Sequence, residues 1–120
     1  MEKIANTINY KLPCGDLASR RLAIAERHKL ELFLTEGKTV KLDLEDVLSL
    51  SESYSDEIFG VLVVKLGANT VLKNIRIENA SPSILKSIAK VIQRRHHEVL
   101  TRQATIQTRG KGFDAVWVTA

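Results

Sequence analysis

The sequence predicts an α/β fold, a single-layer, mixed and partly parallel sheet of about four to six strands packed with three helices. Stretches that alternate apolar and polar residues recur along the chain, and between them lie longer stretches of helix formers with apolar residues at helical spacing. Alternation of strand and helix means a layered α/β domain with some parallel pairing. The 120 residues, 44% hydrophobic and 27% charged, are the size and composition of one ordinary globular domain that can bury a core without staples. Residues 1–120 are therefore read as one domain, without internal repeat, low-complexity tract or linker.

In chain order, Ile8, Tyr10 and Leu12 alternate with Asn9 and Lys11, which is a half-buried strand. Pro13, Cys14 and Gly15 break it, and Asp16 can cap a helix by accepting from its unpaired first-turn amides. Helix formers run from Leu17 to about Glu36. An alternative stands beside the helix: Leu30, Leu32 and Leu34 alternate, as do Val40, Leu42 and Leu44, and Thr35 to Lys38 could turn a β-hairpin between them. In the helical reading Gly37 is the residue just past the end, and Lys38 lies near the negative end of the macrodipole.

Thr39 to Leu44 is a strand, and Leu50 to Tyr54 reads as a polar turn. Ser55 or Asp56 can then cap a helix through Ile58, Phe59, Leu62, Val63 and Leu66, ended by Gly67, Ala68 and Asn69. Asn74 to Glu78 alternates again as a strand. Ser81-Pro82 starts the last helix, a hydroxyl cap followed by proline at the first helical position. Ile84, Ile88, Val91, Ile92 and Val99 form its apolar stripe, with Leu85 on the flank. Beyond Leu100, Ala104 to Gln107 and Phe113 to Val118 read as two short strands joined by Arg109-Gly110-Lys111-Gly112, a C-terminal hairpin within 101–120.

Composition excludes several function classes. Apolar runs such as Val61 to Val64 are far too short to span a bilayer, and no secretory leader opens the sequence. Cys14 is the only cysteine, so no internal disulfide or thiolate zinc site can form, and a reducing cytoplasm is the expected compartment. Its place before a helix could sharpen Cys14 as a nucleophile, but the nearest base, His28, lies several turns further on. His96 and His97, adjacent in a helix, diverge by about 100° and cannot chelate one metal together. Phosphate-binding glycine loops and nucleophile elbows are absent. The expectation is a protein that is not an enzyme, with no catalytic residue, metal or cofactor.

The net charge of +4 conceals two opposed regions. Between Asp43 and Glu57 stand Asp43, Glu45, Asp46, Glu52, Asp56 and Glu57 with no Lys or Arg. Between Pro82 and Lys111 stand Lys86, Lys90, Arg94, Arg95, Arg102, Arg109 and Lys111 against Glu98 alone. A basic helix face can neutralise nucleic-acid phosphates, so Lys86, Lys90, Arg94 and Arg95 are candidate nucleic-acid contacts. The aromatic content of 5% leaves little for base stacking, and no nucleic-acid-binding motif accompanies them.

The stretch Thr39 to Val47, followed by Leu50-Ser51-Glu52-Ser53-Tyr54-Ser55-Asp56-Glu57-Ile58-Phe59-Gly60, resembles the central signature of the STAS-like domains of unassigned function. These are small bacterial and archaeal relatives of the anti-sigma-factor antagonists. Asp43, Val47, Ser51, Ser53, Asp56 and Glu57 fit the pattern, and Tyr54 stands where phenylalanine is usual. Ala18-Ser19-Arg20 resembles the opening of the first helix, and the likeness extends over about residues 16–96. It favours the helix over the hairpin for Leu17 to Glu36.

The resemblance implies a regulatory protein-interaction module in a partner-switching or signalling system, with a kinase-type ATPase or another regulator as partner. In the antagonists a serine at the start of this helix is phosphorylated. Here Glu57 would occupy that position, and Ser51, Ser53 and Ser55 are the hydroxyls just upstream. Ser51, Ser53, Ser55, Asp56 and Glu57 are therefore the candidate docking or phosphorylation residues, although capping and turn formation alone would also explain such serines. Binding of a small ligand in a crevice at the strand ends is a third reading.

Overall fold

The computed structural model describes residues 6–110, with side chains described to residue 103. In chain order it contains β1 (Thr7–Lys11), β2 (Gly15–Leu17), α1 (Arg20–Thr35), β3 (Thr39–Asp43) and β4 (Val47–Leu50). α2 (Glu52–Ser55), a π-helical turn (Asp56–Gly60) and α3 (Val61–Leu66) then run on without a break. α4 (Ala68–Asn74), β5 (Ile75–Glu78) and α5 (Pro82–Gly110) follow. The α/β class with parallel pairing is as expected. The strands divide into two sheets, β1-β3-β5 and β2-β4, and every pairing among them is parallel.

β3 is the central strand. Its Val40 and Leu42 are fully buried, facing Ile8 and Tyr10 of β1 on one side and Ile75 and Ile77 of β5 on the other. The alternate positions (Asn9, Lys11, Lys41, Asp43, Arg76 and Glu78) put charge and amide on the opposite face. One face of the sheet is thus apolar and covered, and the other is polar. α1 packs against β3, and its Leu30 and Leu34 share one buried core with Ile58 and Phe59 of the π turn, Leu62 and Val63 of α3, and Ile84, Ile88 and Val91 of α5.

Between the helix and the hairpin for Leu17 to Glu36 the structure decides for the helix. Gly37 has φ +82, its amide donates to the Leu34 carbonyl, and the Lys38 amide donates to that of Phe33. This pair of bonds is a Schellman closure, and it needs a left-handed residue at Gly37. The helix begins later than expected, because Gly15 to Leu17 pairs with β4. The cap is therefore Ser19, whose hydroxyl accepts from the Leu22 amide, and not Asp16, which instead accepts from the Ser49 hydroxyl at 2.6 Å.

Four further expectations are corrected. Leu50 ends a strand and does not open a turn. Ser51, in place of Ser55 or Asp56, caps α2 by accepting from the Tyr54 amide. Gly67 (φ +94) redirects the chain for one residue, after which α4 continues to Asn74 where the sequence suggested only a stop. Ser81-Pro82 does start α5, with the Ser81 hydroxyl accepting from the Ile84 amide at 3.2 Å. That helix runs to Gly110, so Ala104 to Gln107 is helical where a strand was expected; Phe113 to Val118, the other half of the expected hairpin, lies outside the described residues. No helix among the described residues is long and apolar enough to cross a membrane.

Replacing Gly37 by alanine puts a Cβ at a left-handed position with open space around it, so backbone strain alone is added. Gly37→Ala is expected to cost about 1 kcal/mol, read as a lower urea midpoint with an unchanged slope.

Candidate functional site

The signature segment turns inward. Tyr54, Ser55, Asp56, Glu57, Ile58 and Phe59 are all buried, and the π turn lies between α1 and α5. An α-helix would send Asp56 and Glu57 off at about 100° to each other. Here both carboxylates find arginines. Asp56, 4% exposed, accepts from Arg95 through Nε and Nη2, both at 2.8 Å. It also accepts from Arg20 at 3.1 Å and Arg94 at 3.4 Å. Glu57 accepts from Arg27 Nε at 2.9 Å and Arg20 Nη1 at 3.2 Å.

Arg27 is itself 7% exposed and gives its Nη1 to Glu31 at 2.6 Å, while Arg94 also pairs with Glu52. Two buried anions are thus served by four arginines from two helices. The bidentate fork of Arg95 is the strongest geometry available to a carboxylate. Arg95 first and then Arg20 hold the Asp56 carboxyl down at about 2, outweighing the burial that opposes them.

Gly60 makes this arrangement possible. A Cβ on Gly60 would stand 2.2 Å from Asp56 Oδ1 and 3.0 Å from Arg95 Cγ, so the carboxylate occupies the space a side chain would need. Gly60 is four residues after Asp56, on the same face of the helix. Nothing in strand or helix propensity marks it. The Asp-x-x-x-Gly spacing beside a helix with adjacent arginines is the signal that could have found it.

The candidate docking residues therefore separate. Asp56 and Glu57 are internal anchors. Ser55 is fully buried, and its hydroxyl has no partner among the described residues. Ser51 donates to the Ala18 carbonyl at 2.9 Å while accepting from the Tyr54 amide at 3.0 Å, which ties the start of α2 to the end of β2. Ser53 alone of the three serines is exposed. Among the candidate basic residues, Arg95 is bound to Asp56, and Arg94 is shared between Glu52 and Asp56. Lys86 and Lys90 are exposed and have no ion pair with another described residue. The acidic and basic halves of the sequence meet inside the molecule.

A groove that sequence reasoning missed lies beside this turn, beyond the carboxyl end of β1 and at the start of α1. It encloses about 580 Å³ between Pro13, Leu17, Ala18, Leu22, Ala25 and Tyr54, with Cys14, Asp16, Ser19 and Glu26 as its polar groups. Tyr54 is 2% exposed, and its phenol is pushed up to about 12, first by burial and then by the Glu26 carboxylate. Glu26 accepts the hydroxyl of Tyr10, whose phenol is also raised, chiefly by burial. Leu22 stands 68% exposed at the rim. The signal in the sequence was weak, since β2 and β4 are three and four residues long. His28, His96 and His97 are exposed and apart from it, and no group of His, Cys, Asp and Glu among the described residues could hold a metal ion.

Comparison with known proteins supplies the family. Residues 27–85 match the model of the STAS-like domain of unknown function, so the matched region opens at buried Arg27 and spans β3, β4, the π turn, α4 and β5. No curated protein and no solved structure matches the chain.

The anchor makes three predictions. Gly60→Ala is expected to displace the Asp56 carboxylate and cost about 2–4 kcal/mol in chemical unfolding, with Asp56→Ala adding much less to it than to the wild type. Ser55→Ala removes a hydroxyl without a bond and is expected to be neutral or to stabilise by up to about 1 kcal/mol, whereas Ser51→Ala loses a cap and costs about 1 kcal/mol. Because the folded Asp56 carboxyl titrates near 2 and an unfolded one near 3.9, its contribution is fully present above about pH 4. It is lost as pH falls toward 2. Unfolding free energy measured between pH 5 and pH 2 should fall by about 2 kcal/mol more in the wild type than in Asp56→Asn.

Proposed function

On the premise that the chain carries a STAS-like domain of unknown function, we propose that it is a regulatory protein-interaction module, whose partner docks at the groove beside the start of α2. The groove carries the reading. It has apolar walls, a rim leucine in solvent and a few convergent polar groups, the ordinary make-up of a recognition cleft. Tyr54 of α2, which runs directly into the ion-paired π turn, forms one side of it, so the surface is preorganised and little ordering entropy is lost on binding.

The partner class that fits is a kinase-type ATPase or another regulator of a signalling system, as the family resemblance implies. Ser53 is the hydroxyl such a kinase would reach. A phosphate there would add close to two negative charges in the first turn of α2, next to Glu52 and at the border of the docking face. An exposed, unpaired Cys14 suits a reducing cytoplasm.

The test is affinity capture from the native host, with intact-mass measurement of the recovered chain. Leu22→Asp and Ser53→Glu are compared with Leu72→Asp, which changes a leucine that is 63% exposed on α4. The expected result is one set of captured proteins shared by wild type and Leu72→Asp and depleted at least tenfold in the other two. Equal recovery by all four chains contradicts the reading.

A further inference from the structure

α5 presents a second concave surface, separate from the groove. Ser83, Lys86, Ser87, Lys90, Val91 and Arg94 lie at helical spacings of three and four residues, so they share one face over about 16 Å of helix. With Glu52 they line a hollow of about 340 Å³. Three cations less one carboxylate leave this hollow with a charge of +2. The ammonium groups of Lys86 and Lys90 have no ion pair with another described residue, and the arginine that completes the row is fixed by Glu52 and Asp56. A fixed guanidinium at one end, two adaptable ammonium groups and two hydroxyls form a donor set for a compact tetrahedral anion.

We infer that this hollow on α5 binds a phosphate group, carried as a phosphomonoester or as inorganic phosphate. The charge decides in favour of one dianion, which +2 neutralises. An extended polyanion would need an unbroken row of free cations, and here the ridge is interrupted by Arg94, which already serves two carboxylates, and by Glu98, the next residue on it before Arg102. Glu52 would repel a second phosphate placed beyond Arg94. Nucleic-acid affinity comes from many phosphate contacts, each releasing counterions, and two free lysines supply few of them. Ser83 and Ser87 add donors suited to phosphate oxygens.

The site is independent of partner docking at the groove and is tested apart from it. Backbone amide resonances of the full chain are followed by NMR during titration with inorganic phosphate and, separately, phosphoserine, at constant ionic strength set with chloride. The expected result is saturable shifts centred on Ser83, Lys86, Ser87 and Lys90. Affinity should fall at least tenfold in Lys86→Gln/Lys90→Gln and be retained in Lys86→Arg/Lys90→Arg and in Lys73→Gln, which changes an exposed lysine of α4 outside the hollow. Lowering the pH from 8 to 5, which converts most of the phosphoserine dianion to the monoanion, should weaken its binding about tenfold in the wild type. Equal affinities for the two ligands assign recognition to the phosphate alone, and tighter phosphoserine binding assigns it to a phosphorylated side chain. Non-saturating shifts, or shifts unchanged in the glutamine double variant with its folded spectrum intact, overturn the inference. So does a duplex oligonucleotide that binds the same face with a steep salt dependence while phosphate does not.

Discussion

Two buried carboxylates in one π-helical turn have to be neutralised, and much of the structure follows from that constraint. Removing Asp56 and Glu57 from water costs several kcal/mol for each ion unless charge and hydrogen bonds replace the lost hydration. Arg20 and Arg27 from α1 and Arg94 and Arg95 from α5 supply the replacement, which fixes both helices against the turn. The widened turn lets consecutive residues reach opposite neighbours, and the missing side chain at Gly60 leaves room for the carboxylate. Buried ion pairs are weak evidence of net stability, because an apolar replacement can match them. They are strong determinants of geometry, because losing one partner leaves the other charge uncompensated.

The anchor also changes what the acidic segment can do. As a sequence, Asp43 to Glu57 reads as an acidic surface facing a basic one. In the fold, Glu52, Asp56 and Glu57 are occupied by Arg94, Arg95, Arg20 and Arg27, so much of the apparent polarity is internal complementarity. What remains for recognition is exposed Ser53, the groove with Leu22 at its rim, and Lys86 and Lys90 of α5, which pair with no described residue.

Elements whose signal is local were readable. β1, β3 and β5 show clean alternation because one sheet face is covered and the other is polar, and Ser81-Pro82 marks its helix through cap chemistry that no tertiary contact is needed to specify. β2 and β4 escaped because three or four residues carry no measurable period, and their pairing joins residues more than thirty apart. Asp16 reads as the cap for that reason, since the strand that claims Gly15 to Leu17 is made by a distant partner. α4 was missed because Gly67, a good stop signal, redirects the helix for one residue. The family signature was visible in Ser51 to Gly60, but its orientation was not. Side chains of Ser, Asp and Glu in a helix read as surface until the arginines that bury them are located in space.

The account rests on the claim that Asp56 is held by Arg95 as a structural pair. A double-mutant cycle with Asp56→Ala and Arg95→Ala, read by urea unfolding, measures that pair directly. The account predicts a coupling energy of about 2 kcal/mol or more, with each single change strongly destabilising and the double change little worse than either. Additive losses, with coupling near zero, would show that the carboxylate and the guanidinium are solvated independently and would contradict it.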